Sequence, residues 1–298
     1  MNYQTTLNME VHAVGTGLHS GNLINMALKP ALPNTGIVFM RTDLDGAAVK
    51  ADITHIDFSA LQMATTLRKG EVVVQTTEHL MSALYAMGVD NVVVELSGAE
   101  VPIMDGSAEP FLLLIEEAGI RRLHVPRKQL RVVRPFSFTH QGKTIEARPA
   151  ADFRISYEIS FDHPLIRTQK KTVVVDSDQY TDQVAPARTF GFLKDVNYLK
   201  SLGLIRGGSL ENAVVLDGER ILNGSLRLDD EFVSHKILDM VGDFAVCGMR
   251  LKGHFTAHLA GHEVHALFMR ALLASDCVAV DTEAAEAPAA YAYALQPA

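Results

Sequence analysis

Short apolar runs rich in β-branched residues recur along the chain and predict β-strands. They lie at residues 37–40, 72–74, 92–96, 153–159, 172–175 and 213–216. Apolar residues spaced three or four apart predict helices at 76–87, 107–118, about 190–201 and about 230–246. Gly88 and Gly119 follow the first two helices, as helix-ending glycines do. Ser107 is the predicted N-cap of the second helix, and Asp229 or Asp230 that of the fourth.

Strands and two helices on each side of a basic Gly/Pro segment at 119–126 predict an α+β fold with two domains. The 298 residues suit this number, at about 100–200 residues per domain. We place the domains at 1–124 and 125–280. Residues 281–298 are rich in alanine, contain two prolines, and are predicted to form a disordered tail.

Charge and composition exclude several classes of protein. A net charge of -8 argues against nucleic-acid binding, which needs a basic surface. The N-terminal segment resembles no signal peptide, and no apolar run approaches the roughly 20 residues that span a bilayer. Two cysteines are too few for a disulfide framework. We therefore expect a cytoplasmic protein without an integral membrane segment, and its substrate can still be anionic if lysines and arginines line one cleft.

The predicted helix at 230–246 carries the first candidate chemistry. His235 and Asp239 are four residues apart and share one helix face, so both can bind one metal ion. Apolar neighbours flank them, and burying such groups without a partner is costly. A local ion pair on a solvent-exposed face is the alternative that spacing alone leaves open.

A second pair, Glu78 and His79, lies near the start of another predicted helix. Adjacent helical side chains diverge by about 100°, so one can bind a metal while the other acts on a metal-activated water. An exposed glutamate beside a helix-start histidine is the alternative. Spacing does not show whether His79 meets His235.

Two further histidine pairs lack a convincing metal-binding pattern. His262 and His265 are too close for the His-Glu-x-x-His protease motif, and their surroundings do not predict a regular amphipathic helix. His254 and His258 have helical spacing only. We interpret all four as solvated or hydrogen-bonded histidines, although His262 follows a turn-like glycine where catalytic groups are often presented.

The chain nevertheless resembles one family closely: the zinc-dependent UDP-3-O-acyl-N-acetylglucosamine deacetylases of Gram-negative lipid A biosynthesis. The family's motifs occur in its order, out to roughly residue 275, and together they are highly specific. They are Gly17-Leu18-His19-Ser20-Gly21, Thr76-Thr77-Glu78-His79-Leu80, Val101-Pro102-Ile103-Met104-Asp105-Gly106, Ala187-Arg188-Thr189-Phe190-Gly191, His235-Lys236 with Asp239 and Asp243, and Gly261-His262.

The resemblance implies that His79, His235 and Asp239 bind Zn2+, with Fe2+ able to share these ligands in the cell. It implies Glu78 as general base and His262 as general acid or electrostatic stabiliser. The implied reaction is hydrolysis of the N-acetyl group of UDP-3-O-(3-hydroxyacyl)-N-acetylglucosamine, the committed step of lipid A biosynthesis. The implied fold is two helix-on-sheet sandwiches with the active site between them.

Other roles follow from the same resemblance. Thr189 would bind the oxyanion, Lys236 would lie near polar groups of the substrate, and Asp243 would orient His262. Met63 stands where many members carry cysteine, so a thiolate contact with an inhibitory metal is absent, and the position is a substrate-binding candidate. An insertion in the second domain is expected to form an apolar acyl passage, lined by Phe190, Leu193, Val196, Leu210 and Val215. We expect a monomer.

Two other functions are weighed against the deacetylase. A metal-free binding protein for an acylated sugar nucleotide would explain the passage but leave His235 and Asp239 without a partner. A lyase acting on hydroxyacyl chains, to which this family can be fused, would need a domain for which the chain has no room.

Overall fold

The computed structural model describes residues 3–282. Its helices are α1 (Glu78–Ala86), α2 (Glu109–Ala118), α3 (Ser177–Gln183), α4 (Leu193–Ser201), α5 (Glu231–Ala245) and α6 (His262–Leu273). Its strands are β1 (Tyr3–Leu7), β2 (Val11–Thr16), β3 (Leu23–Pro30), β4 (Ile37–Arg41), β5 (Ala47–Lys50), β6 (Leu67–Lys69), β7 (Val72–Val74), β8 (Val92–Leu96), β9 (Ile120–Pro126), β10 (Lys128–Val132), β11 (Phe136–His140), β12 (Lys143–Arg148), β13 (Phe153–Phe161), β14 (Arg167–Val174), β15 (Phe190–Phe192), β16 (Val214–Asp217), β17 (Arg220–Ile221), β18 (Arg250–His258) and β19 (Val278–Thr282).

Two large sheets organise these elements, which confirms the predicted α+β class. The amino-terminal sheet has five strands in the order β2-β3-β8-β4-β5, with β4 parallel to β8 and the other neighbours antiparallel. The carboxy-terminal sheet has seven strands, and its central strand β18 pairs antiparallel with β12 and parallel with β10 and β13. A smaller sheet, β15-β16-β17, carries α4 against it.

The strand β13 illustrates how sequence alternation produces the carboxy-terminal sheet. Phe153, Ile155, Tyr157 and Ile159 are all buried, whereas the residues between them are partly accessible. This period of two is that of a strand with one face on the core. Helix α5 packs on β13 and β14, and α6 packs on α5, β11 and β12.

Helices α1 and α5 pack directly against each other, and their contact brings the candidate residues together. A glycine makes this approach possible. A Cβ atom on Gly242 of α5 would overlap the backbone carbonyl oxygen of Glu78 at the start of α1. Helix α5 is buried almost all round, because α1, α6 and two strands cover it.

Several predicted boundaries are wrong. The predicted helix at 190–201 begins at Leu193, because residues 190–192 pair with Val214–Leu216 as strand β15. Helix α2 begins at Glu109 after Ala108, so Ser107 is not its N-cap, although the Ser107 hydroxyl accepts a hydrogen bond from the Glu109 amide. Helices α3 and α6 were not predicted.

Both predicted domain limits, at 124/125 and at 280/281, fall within strands of the structure. The limit at 124/125 falls within β9, which pairs with β1, and the division into domains 1–124 and 125–280 stays a prediction. The predicted tail begins too early, because residues 281 and 282 belong to β19 and pair with β10. The rest of that tail lies outside the described residues. Among residues 3–282, no helix is long and apolar enough to cross a membrane.

Candidate metal centre and catalytic site

A tight turn presents Glu78 and His79 at the start of α1. Thr76 has a φ of 57°, a left-handed conformation that is uncommon outside glycine. The hydroxyl of Thr76 donates to Glu100 Oε1 at 3.1 Å, which helps to hold this conformation. Strained backbone of this kind clusters at functional sites. The turn leaves Glu78 and His79 buried in the first turn of the helix.

His79 from α1 meets His235 and Asp239 from α5. Asp239 Oδ1 lies 3.7 Å from His79 Nε2 and 3.4 Å from His235 Nε2. The two imidazole rings are 5.0 Å apart and nearly perpendicular. One donor atom from each of the three buried residues lies within 4.8 Å of the other two, so the group could hold a metal ion.

The protonation of these side chains fits a divalent cation. Burial, together with the neighbouring His235, lowers the pKa of His79 to about 3, so its ring is neutral. Burial also lowers the pKa of His235, whose Nδ1 donates to the Ala187 carbonyl at 3.0 Å and leaves Nε2 with a free lone pair. Although burial alone would raise it, the neighbouring His235 and the ammonium group of Lys236 hold the pKa of Asp239 well below its ordinary value. Two neutral imidazoles and a carboxylate are the donor set of catalytic zinc sites.

Lys236 neutralises part of the negative charge at this group. Its Nζ atom lies 2.5 Å from Asp239 Oδ2, and its side chain is 22% exposed. It also lies 5.8 Å from the centre of the Phe190 ring. Lys236 therefore stands at the accessible edge of the site, where the predicted contact with polar substrate groups is sterically open.

Glu78 lies beside the candidate metal ligands His79, His235 and Asp239, and the pKa of its carboxyl is raised. Its Oε2 accepts a hydrogen bond from the Thr65 amide at 2.9 Å. Burial raises the pKa of Glu78 to about 7, and the nearby charges of Asp243 and Asp239 act in the same direction. A group with a pKa near 7 can both take up and release a proton at physiological pH.

His262, at the start of α6, also has a raised pKa, but here a carboxylate rather than burial raises it. Its Nδ1 lies 2.7 Å from Asp243 Oδ2, and its Nε2 lies 3.9 Å from Asp239 Oδ2. Burial alone would favour the neutral ring, but the Asp243 carboxylate outweighs it and raises the pKa of His262 to about 9. The structure therefore holds a protonated imidazole next to a carboxyl that is largely ionised above pH 7.

Asp243 anchors two residues that the sequence analysis did not assign to the site, His265 and Thr65. His265 Nδ1 lies 2.7 Å from Asp243 Oδ2, and its Nε2 lies 3.0 Å from the Tyr157 hydroxyl. The Thr65 hydroxyl donates to Asp243 Oδ1 at 2.5 Å. We call Asp243, His262, His265 and Thr65 the Asp243 cluster.

Three members of the Asp243 cluster could also hold a metal, but they suit one less well. Asp243, His262 and His265 have donor atoms within 4.8 Å of one another. Those atoms are already engaged, because both Nδ1 atoms lie at hydrogen-bond distance from the same carboxylate oxygen. The donor atoms of His79 and His235 are farther from Asp239 and are not hydrogen-bonded to it.

Of the two alternatives for the other histidines, the hydrogen-bonded one is confirmed. His262 and His265 lie three residues apart on α6, where both are hydrogen-bonded to Asp243, but the expectation that their surroundings form no regular helix is wrong. The i, i+3 spacing was the signal that could have found this. His254 and His258 are confirmed as hydrogen-bonded or paired residues, with His254 Nε2 2.8 Å from Ser156 Oγ and His258 Nδ1 3.5 Å from Glu158 Oε2.

Thr189 lies in the segment that leads into β15. Its amide donates to the Gly106 carbonyl at 2.8 Å, and its own carbonyl accepts from the Val214 amide at 2.7 Å. Within the described part of the chain its hydroxyl has no hydrogen-bond partner, so it is free to bind another group. Thr189 is half-buried.

The predicted acyl-passage residues are divided between two faces of the small sheet. Phe190 pairs with Val214 and Phe192 with Leu216, while Val215 pairs with Gly191. Because side chains alternate along a strand, Phe190 and Val215 point to opposite faces. Phe190 packs on Phe232 and lies near His235, which places it at the metal-binding group. Val196 and Val215 are partly buried, whereas the remaining candidates are exposed: Met63, Leu193 and Leu210.

Comparison with known proteins gives one consistent result. The sequence profile of the UDP-3-O-acyl N-acetylglycosamine deacetylase family matches residues 4–274. A UDP-3-O-acyl-N-acetylglucosamine deacetylase from Acidithiobacillus ferrooxidans is 44% identical, over 91% of this chain and 90% of that protein. Proteins with the same name from Nautilia profundicola and Chromohalobacter salexigens are 42% and 43% identical; the matches cover 98% and 97% of this chain, and 99% and 97% of theirs. The chain belongs to the UDP-3-O-acyl N-acetylglycosamine deacetylase family.

Proposed function

We propose that the protein hydrolyses the N-acetyl group of UDP-3-O-(3-hydroxyacyl)-N-acetylglucosamine, giving UDP-3-O-(3-hydroxyacyl)-glucosamine and acetate. This is the committed step of lipid A biosynthesis. One observation carries the proposal: His79, His235 and Asp239 converge beside a carboxyl whose pKa is raised to about 7 and an imidazole whose pKa is raised to about 9. The names of the relatives supply the substrate.

We infer that the resident ion is zinc, held by His79, His235 and Asp239. Neutral imidazole and carboxylate are ligands that zinc accepts, and three protein ligands leave further positions open. When bound, such an ion acts as a Lewis acid that polarises a carbonyl and lowers the pKa of water. Fe2+ accepts the same ligands.

Glu78 is suited to act as the general base. Its pKa of about 7 leaves it mostly ionised at pH 8, where it can take a proton from the attacking water. The Thr65 amide fixes one carboxylate oxygen through a hydrogen bond, which orients the other. A base held in this way loses little entropy in the transition state.

His262 is suited to the complementary role. Its pKa of about 9 keeps the ring protonated at pH 8, so it can stabilise developing negative charge and deliver a proton to the leaving amine. The surroundings of Glu78 and His262 raise both pKa values, so between about pH 7 and about pH 9 the carboxyl is mostly ionised while the imidazole is mostly protonated, as a base and an acid in one site require. Asp243 fixes the ring by accepting a hydrogen bond from Nδ1, which leaves Nε2 facing the reaction.

Thr189 and Lys236 would act on the substrate itself. The hydroxyl of Thr189, which has no hydrogen-bond partner within residues 3–282, can donate to the oxyanion, and its backbone is fixed by two hydrogen bonds. Lys236 lies at the open edge, within reach of polar groups of the sugar nucleotide. We assign the start of the acyl chain to Phe190, which faces His235, and its continuation to the region of the small sheet and α4, with Val196, Val215 and the exposed Met63, Leu193 and Leu210 as candidate contacts.

Acetate release from the acylated sugar nucleotide tests this function. Purified protein should release acetate from the acylated substrate, and much less from UDP-N-acetylglucosamine that lacks the acyl chain. Glu78→Gln should lower kcat by at least about 10²-fold, the lower end of general acid–base contributions. Glu263→Gln is the matched control, because Glu263 is an exposed carboxylate next to His262. No acetate from metal-replete protein would refute the proposal.

A further inference from the structure

A cavity away from the metal centre carries an excess of positive charge. Its volume is about 190 Å³, and it lies beside the C-terminal end of α1. Its lining residues come from two parts of the chain, residues 4–91 and residues 127–250. Gln4, Lys50, Asp90, Arg127, Lys128 and Arg250 are among the residues that line it. None of the metal-binding or catalytic candidates belongs to its lining.

Four cationic side chains line this cavity against one carboxylate, although the chain as a whole has a net charge of -8. Lys50 and Lys128 are exposed and form no ion pair within residues 3–282. Such a local reversal of the protein's overall charge concentrates anions at the cavity.

Both oxygens of the Asp90 carboxylate already have positively charged or hydrogen-bonding partners. Asp90 Oδ2 accepts hydrogen bonds from Arg127 Nε at 2.8 Å and from the Thr5 amide at 2.8 Å, and it lies 2.5 Å from Arg127 Nη2. Its other oxygen lies 3.4 Å from Arg250 Nε. One carboxylate therefore serves two guanidinium groups.

Among the described residues, the remaining charge of these two arginines faces partners without a full negative charge, including the Tyr85 ring, whose centre lies 4.3 Å from Arg250 Cζ. Arg127 Nη2 donates to the Gly88 carbonyl, and Arg250 Nη1 donates to the Tyr85 carbonyl, both at the end of α1. These carbonyls carry only a fraction of a negative charge. Arg250 Nη2 is buried and has no hydrogen-bond partner among the described residues. Burial and the nearby Arg250 lower the pKa of Arg127, as expected when two cations share insufficient counter-charge.

We propose that this cavity binds a small phosphate-class oxyanion. Arginine forks and lysine ammonium groups are the side chains that hold phosphate in proteins. The volume of about 190 Å³ admits an inorganic anion or a phosphate group. It is smaller than the roughly 300 Å³ at which pockets for larger ligands begin. The bound anion would bridge the two parts of the chain and supply the counter-charge that Asp90 alone does not.

Calorimetric titration with inorganic phosphate at constant ionic strength tests the proposal. The intact protein should bind one phosphate per chain. The double variant Lys50→Gln/Lys128→Gln, whose exposed side chains are replaceable without loss of the fold, should bind about tenfold more weakly or worse. Lys69→Gln, at an exposed lysine that does not line the cavity, is the control and should bind phosphate normally. Arg250→Met should abolish binding.

Two further titrations test where the phosphate binds and which kind of phosphate is bound. Lys236→Gln alters the candidate active site only and should leave phosphate affinity unchanged. Methyl phosphate that binds as well as inorganic phosphate would identify the ligand as a phosphate group of a larger molecule, and exclusive binding of inorganic phosphate would identify the free ion. Absence of binding to the intact protein overturns the proposal. So does equal affinity in the Lys50→Gln/Lys128→Gln variant, or loss of binding in Lys236→Gln.

Discussion

Asp243→Asn tests the electrostatic logic of the candidate site. Asp243 receives His262 and His265 at 2.7 Å each and the Thr65 hydroxyl at 2.5 Å. Asparagine keeps the size of the side chain but removes its charge. His262 would then remain buried without its main counter-charge, so its protonated form should be destabilised.

The magnitude follows from the perturbed pKa of His262. Burial opposes protonation, yet the pKa rises from 6.5 to about 9, and Asp243 is the first of the charges that overcome burial. Each pKa unit corresponds to about 1.4 kcal/mol, so the preference for the protonated ring amounts to roughly 3 kcal/mol. Asp239 and Glu78 contribute to the same shift. Losing Asp243 should therefore move the alkaline limb of the pH–rate profile down by about one to two pH units.

The sign of both limbs distinguishes this account from general damage. His262 acts when protonated, so a lower pKa removes activity at the alkaline side first. Glu78 acts when ionised, and the charge of Asp243 raises its pKa, so the acid limb should also move to lower pH. A bound cation shifts the pKa values of Glu78 and His262 in the native enzyme and in the variant alike. The quantity to compare is therefore the difference between their two pH–rate profiles.

Acetate release measured from about pH 5 to about pH 10 provides the assay. At pH 8, kcat of Asp243→Asn should fall by about 2- to 10-fold, because a shift of one to two pH units lowers the protonated fraction of His262 from about 0.9 to between about 0.5 and about 0.1. Thr65→Val is the matched control, since it removes one hydrogen bond to the same carboxylate but leaves its charge, and its alkaline limb should stay in place. An Asp243→Asn profile with both limbs at their native pH and only a lower plateau would refute the reasoning.

Four other outcomes are expected. His262→Ala should lower kcat by at least about 10²-fold and leave metal content unchanged, so near-normal turnover would remove His262 from its role. His79→Ala should lose both bound metal and activity, and full retention of metal would disprove its assignment as a ligand. Gly242→Ala should destabilise the fold by about 1–3 kcal/mol or more through overlap with Glu78, seen as a lower Tm, whereas Gly191→Ala, with open space around it, should not. Val215→Asp should raise KM at least about tenfold for a long-acyl substrate, because it places a charge against the chain, and equal KM values for long and short chains would contradict the passage.

The local sequence pattern was sufficient to predict α1 and α5, the two helices that carry His79, His235 and Asp239. The periodicity of α1 and α5 is visible in sequence, and both helices occur where predicted, within a few residues. Their contact was not predictable from spacing, because it depends on Gly242 allowing two distant helices to approach. The family resemblance supplied that link, and membership of the family confirms both the resemblance and the prediction of an enzyme.

Tertiary contacts account for the misinterpreted segments. Residues 190–192 have a helix-compatible pattern, but pairing with Val214–Leu216 makes them a strand. Helix α6 begins after Gly261 without a side-chain cap, and its polar His262 and His265 face inward to Asp243, which obscured its amphipathic pattern. Helix α3 did carry a readable signal, since the Asp176 side chain caps the Gln179 amide. The monomeric state and the cytoplasmic location stay predictions.

Anomalous X-ray diffraction at the zinc absorption edge tests the central claim most directly. Crystals of the protein purified with zinc should show one strong peak per chain, about 2.0–2.2 Å from His79 Nε2, His235 Nε2 and an Asp239 carboxylate oxygen. A metal-free binding protein for the same sugar nucleotide would show no peak there. Absence of a peak between these three side chains at full zinc supply, or a peak only within the Asp243 cluster, would contradict the account.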